Sequence, residues 1–109
     1  MAGILQVELT KNQILRQLAE HSGELRRFSV ITLGLFGSFV RGEAKIDSDM
    51  DFLVSFNNKT YRNYIGLKFY LEELFNHKVD LVIADNIKPR LQEIILSEVA
   101  YVPGFDNLS

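Results

Sequence analysis

Hydrophobic positions along the chain recur at two periods, and the places where the period changes divide it into helices and strands. Thr10-Lys11-Asn12-Gln13 has the spacing of a capping box, a hydroxyl and a Gln each able to serve the other's backbone amide. Ile14, Leu15, Leu18 and Leu25 then return at three-, four- and seven-residue steps, while Lys11, Arg16, Glu20, Glu24 and Arg26 fall mostly elsewhere. That pattern predicts an amphipathic surface helix over about 10–22, extending at most to 27, with Gly23 ending or weakening it. From Phe28 to Phe36 the chain becomes β-branched and aromatic and stops at Gly37, the profile of a buried strand. Phe39 to Gly42 leaves room for about one helical turn.

Met50 to Phe56 is a second strand, closed by the turn-forming pair Asn57-Asn58. Tyr61 to Phe75 carries Tyr64, Leu67, Leu71, Leu74 and Phe75 at helical spacing, so a long helix is expected to pack on the sheet. Lys78 to Ile83 is a third strand and Ala84 to Asn86 a turn. Pro89 suits the first turn of a last helix running to about Val99, with Leu91, Ile94, Ile95 and Val99 facing inward. The order α-β-(short turn)-β-α-β-α places the chain in the α/β (α+β) class. With 109 residues and no internal repeat or linker, 1–109 reads as one domain, and the tail 103–109 is expected to be loose or partner-bound.

Composition narrows the function classes. A content of 47% hydrophobic and 24% charged residues excludes disordered and fibrous chains. The absence of cysteine removes disulfides, thiolate nucleophiles and Cys-type zinc sites, and with only two histidines neither a zinc protease nor a Cys-His hydrolase has its parts. His21 and His77 fall near helix ends, where a cationic side chain suits the C-terminus. A net charge of -2 argues against direct nucleic-acid binding as the main work. Met1 to Glu8 has no positive leading segment, and no apolar run approaches the roughly 20 residues of a membrane span, so a cytoplasmic protein is expected. No Gly-x-x-x-x-Gly-Lys-Ser/Thr stretch marks a P-loop.

The stretch from Gly37 to Val54 carries the chemistry. Gly37 and Ser38 stand where a strand ends and a helical turn begins, and the amides of such a turn face outward toward an anion; by itself this is equally an ordinary turn with an N-cap serine. Asp49 and Asp51 alternate along a strand and so project to one side, while Met50 and Phe52 enter the core. Such a pair either splays into solvent or holds a hard cation such as Mg²⁺ shared with phosphate. Asp80 is the one acid amid Val79, Leu81, Val82 and Ile83, a costly placement unless it is paired, coordinated or on a wet face. If its strand lies beside Met50 to Phe56, Asp80 can join Asp49 and Asp51 around one or two Mg²⁺ ions and act as general base. Arg41, three residues after Ser38, returns to the same side of a helical turn and either contacts phosphate or pairs with Glu43, Asp47 or the aspartates. Lys45 and Lys68 are weaker phosphate candidates, and Asp47 adds charge beside the site.

Gly37-Ser38, ten residues, then Asp49-Met50-Asp51, with Asp80 on a following strand, resembles the signature of the polymerase-beta-type nucleotidyltransferase superfamily. The longer run Gly-Ser-Phe-Val-Arg-Gly-Glu-Ala and Ser48 to Val54 resembles its minimal branch, the MNT antitoxins encoded beside HEPN-domain toxins. The resemblance covers nearly the whole chain and implies a mixed β-sheet backed by helices, the nucleotidyltransferase fold. It implies ATP as substrate, Gly37 and Ser38 as its phosphate grip, and Mg²⁺ on Asp49, Asp51 and Asp80. It implies AMP transfer to a hydroxyl, a tyrosine of the cognate HEPN ribonuclease toxin. Two other readings stand beside it: an antitoxin that neutralises by stoichiometric binding, and transfer to a small-molecule acceptor.

Overall fold

The computed structural model describes residues 9–106. Met1 to Glu8 and residues 107–109, on which the readings of the leading segment and the last part of the tail fall, lie outside the described residues. Helix α1 (Lys11–Glu20) begins at the expected capping box: Thr10 Oγ1 accepts from the Gln13 amide at 3.2 Å, and Gln13 Oε1 accepts from the Thr10 amide at 3.0 Å. It ends at His21, whose amide donates to the Leu18 carbonyl and whose Nδ1 donates to the Gln17 carbonyl at 2.8 Å, so groups left open at a helix end are satisfied. A separate α2 (Ser22–Arg27) follows, and Gly23 lies inside it rather than at the break.

A four-stranded mixed sheet has the order β3-β2-β1-β4, made of β1 (Val30–Phe36), β2 (Met50–Phe56), β3 (Val79–Ile83) and β4 (Ala100–Tyr101). β1 runs antiparallel to both β2 and β4, whereas β2 and β3 are parallel. Parallel neighbours need a crossover, and α4 (Tyr61–Phe75) supplies it. β1 starts two residues later than the sequence pattern suggests, because the Phe28 and Ser29 amides bond back to Leu25 and Arg26 to close α2.

Strand alternation sends Met50, Phe52 and Val54 into one core with Leu33 and Leu35 of β1, Ile14 and Leu18 of α1, and Leu67, Leu71 and Phe75 of α4. Phe52 stacks on Phe75 with centroids 6.4 Å apart. Burial of each such side chain stabilises the fold by about 2–3 kcal/mol. Tyr64 donates its hydroxyl to the Leu81 carbonyl at 2.8 Å and ties α4 to β3.

Two expectations at the C-terminus are corrected. α5 (Pro89–Glu98) buries no residue: Leu91 and Ile94 are 41% and 60% exposed rather than inward-facing, and Ile95 and Val99 are half-buried. Beyond α5 the described residues, to Asp106, are not loose. β4 pairs with β1, the Leu33 amide donates to the Phe105 carbonyl at 3.0 Å, and Val102 and Phe105 are buried. The outer edge of β1 would otherwise leave backbone groups unpaired, and this segment covers them.

Candidate active site

β1 delivers Gly37 at its C-terminal end, and β2 and β3 deliver their acids at their N-terminal ends, so all reach the same end of the sheet. Gly37 is the N-cap of a single helical turn, α3 (Ser38–Arg41), which ends at Gly42 with its amide donating to the Ser38 carbonyl. Its backbone, φ 83° and ψ -152°, is a conformation open essentially only to glycine. A Cβ at Gly37 would also run into the Asp51 carboxylate, so the turn and the acid are packed directly against each other. Phe36 and Asp51 are register partners across β1 and β2, which explains the contact.

Asp51 and Asp80 are register partners across the parallel β2–β3 pair, and partners in register share a face. Adjacency of the two strands, the condition on which Asp80 could join the pair, is therefore met. Asp51 is half-buried, while Asp49 and Asp80 are exposed. Burial foremost, then the charges of Asp80 and Asp49, push the Asp51 carboxyl up to about 6. Three carboxylates repelling at one sheet end, with no hydrogen bond to Asp51 among the described residues, form a site short of positive charge.

Arg41 sits on the α3 turn, but its described partners are acids. Nε donates to Glu43 Oε1 at 2.9 Å, and Nη1 donates to both oxygens of Glu98 at 3.0 and 3.2 Å. Glu43, then Glu98, hold the guanidinium pKa above its ordinary value. Glu98 also accepts from the Gly37 amide at 2.7 Å, so that amide is not directed at open solvent as the sequence suggests. Lys45 lies on a separate cavity of about 600 Å³, lined also by Leu9, Phe39, Val40, Ile46 and His77, that takes in neither the glycine-serine turn nor the aspartates. Lys68 is half-buried on α4, and Asp47 is exposed in the turn preceding β2. His21 and His77 are occupied at helix ends, the latter through Nδ1 and the Phe75 carbonyl at 2.9 Å.

Residues 14–102 match the nucleotidyltransferase domain family. The chain belongs to that family. The protein adenylyltransferase MntA of Thermococcus cleftensis is 46% identical to it over 96 residues, 86% of this chain and 97% of the relative. A solved structure described as a candidate minimal nucleotidyltransferase superposes with a TM-score of 0.72 at 34% identity, covering 87% of this chain and 98% of that one. An MNT antitoxin solved with a tri-AMPylated HEPN toxin of Shewanella oneidensis has the same fold, with a TM-score of 0.58 at 17% identity over 81% of this chain and 71% of that one. The expected fold, the expected minimal branch and the nucleotidyltransferase class of enzyme all stand.

For a nucleotidyltransferase, the donor set fits a hard divalent cation: carboxylate oxygens of Asp49, Asp51 and Asp80, gathered at one sheet end and mutually repelling. Among the described residues no three acidic or histidine side chains close into a ready-made metal cage. A cation at these carboxylates would therefore be completed by water or substrate oxygens rather than by an all-protein shell. The residue that sequence reasoning missed is Glu98. It is an acid amid Ile94, Ile95, Leu96, Val99 and Ala100, the same signal that singled out Asp80, but its partner Gly37 is 61 residues away.

Proposed function

We propose that this protein transfers AMP from ATP to a hydroxyl, a tyrosine of a HEPN ribonuclease toxin, and thereby acts as that toxin's antitoxin. The observation that carries the reading is the packing of Gly37 directly against Asp51, with Asp80 in register beside it. A phosphate-gripping turn and a carboxylate cluster meet at one point, which is what a polyphosphate with its counter-ion requires. Ser38 and Arg41 hold the phosphates, and Gly37, whose amide is taken by Glu98, lets the backbone of the turn come close to them. Asp49, Asp51 and Asp80 would hold Mg²⁺, which when bound would offset the charge of the polyphosphate and polarise it for attack. The acceptor oxygen forms a bond to the α-phosphorus, the bond to the bridging oxygen breaks, and pyrophosphate leaves. Asp80, the more exposed of the register pair, takes the acceptor proton.

The partner supplies the acceptor side, and the exposed Leu91 and Ile94 of α5 together with Tyr61 and Phe69 of α4 offer apolar surface for it. The name of the Thermococcus relative and the AMPylated toxin bound to a fold relative support this choice of acceptor. ATP and Mg²⁺ are both cytoplasmic, and no described helix is long and apolar enough to cross a membrane.

The test mixes the protein, ATP, Mg²⁺ and its HEPN partner and weighs both chains by mass spectrometry. AMP-sized additions on the partner should appear with wild type and vanish with an Asp49→Asn, Asp51→Asn variant. If the variant silences the partner as well as wild type does, and neither chain gains mass, neutralisation is by binding alone and the catalytic reading falls. AMP on an added small molecule but never on the partner would redirect the activity to that acceptor class.

A further inference from the structure

We propose that Glu98 is a positioning residue of the nucleotide site, acting through Arg41 and the Gly37 turn. The inference rests on the reading of that turn as the phosphate grip. β4 pairs with β1 so that Leu35 faces Ala100. Continuing that antiparallel register by two residues sets Glu98 opposite Gly37, where its carboxylate accepts from the Gly37 amide at 2.7 Å. The approach depends on Gly34: a Cβ there would meet Val99 Cγ2 at 2.5 Å, so only glycine lets the chain after α5 lie close enough against β1.

The same carboxylate takes Arg41 Nη1 at 3.0 and 3.2 Å while Glu43 takes Nε at 2.9 Å. A guanidinium is planar and rigid, so two acids on two of its nitrogens fix the direction of the third, and Nη2 has no partner among the described residues. Glu98 is well placed to hold this geometry because its own side chain is only 20% exposed, against 47% for Arg41. One half-buried acid thus joins the glycine turn to the arginine and leaves Nη2 and the Ser38 hydroxyl for phosphate. Without it, Arg41 is a long surface side chain that must be ordered each time nucleotide binds, and that ordering costs affinity.

The test is ATP·Mg²⁺ binding by calorimetry to wild type, E98A, E98Q, R41A and the E98A/R41A double variant, each first checked for a cooperative thermal melt. E98A should weaken ATP binding about tenfold, the size usual for groups that orient a ligand contact. R41A should weaken it at least as much, and adding E98A to R41A should cost clearly less than E98A costs in wild type, since only the Gly37 amide is then left for Glu98 to position. E98Q, which keeps an acceptor for Gly37 but loses the charge that holds Arg41, should fall between wild type and E98A. A merely structural role would instead make the two losses multiply, and that outcome overturns the proposal. So does E98A binding ATP as tightly as wild type or tighter, which would make Glu98 an anion that nucleotide displaces. Wild type that binds no ATP removes the phosphate-grip reading itself and this inference with it, a result distinct from either.

Discussion

Replacing Asp51 with asparagine should stabilise the metal-free fold while abolishing transfer. Folding raises the Asp51 carboxyl from 3.8 to about 6, through burial first and the charges of Asp80 and Asp49 next. The folded state therefore holds the proton more tightly than the unfolded chain does. The stability this lends is fully present below pH 3.8 and is lost as pH rises through about 6. For a fully buried group the span would be worth ~3 kcal/mol, but Asp51 is half-exposed and solvent screening reduces the expectation to ~1 kcal/mol. Asn keeps the shape and removes the charge, so at pH 7.5 in chelator the variant should melt about 5 °C above wild type. The gap should close near pH 4, where wild-type Asp51 is protonated. Excess Mg²⁺ should raise the wild-type melting temperature and leave the variant nearly unchanged. Transfer should fall by roughly 10²-fold or more, as when a group that meets developing charge is removed. A variant that melts at or below wild type at pH 7.5, or a gap independent of pH, would refute the argument that these acids strain the fold in the absence of a cation.

Two further outcomes follow from the packing. Gly37→Ala forces a side chain into a glycine-only conformation and against the Asp51 carboxylate; it should cost about 1–3 kcal/mol in urea denaturation and lose ATP binding as well, and a silent substitution would mean the turn and Asp51 are not in contact. Phe105→Ala should cost about 3–5 kcal/mol, because Phe105 is 1% exposed and its segment closes the outer edge of β1. A loss below ~1 kcal/mol would return the tail to the loose state expected from its sequence.

Local chemistry made much of this protein legible before its fold was known. The capping box at Thr10, the apolar periods of Ile14-Leu18 and Leu67-Leu71-Phe75, and the alternation through Met50-Asp51-Phe52 depend on neighbours a few residues away, and each stands in the structure. The spacing of Gly37, Ser38, Asp49 and Asp51 was readable for the same reason, since one connection carries both halves of the motif. What failed depended on distant partners. The inward face assigned to α5 assumed that apolar residues find a core, but among the described residues Leu91 and Ile94 stay exposed. The tail carries no periodicity, so nothing local told that Phe105 would plug the core beside β1.

The sequence by itself determined the long helices and the three longer strands, the family resemblance and most residue types of the site, because propensity, periodicity and motif spacing are properties of short stretches. Only the tertiary structure decided which groups meet. It put Asp80 in register with Asp51, packed Gly37 onto that carboxylate, and gave Arg41 to Glu98. Each of those outcomes is a matter of strand order and register between segments about 15 to 60 residues apart, set by the whole sheet rather than by any stretch of it.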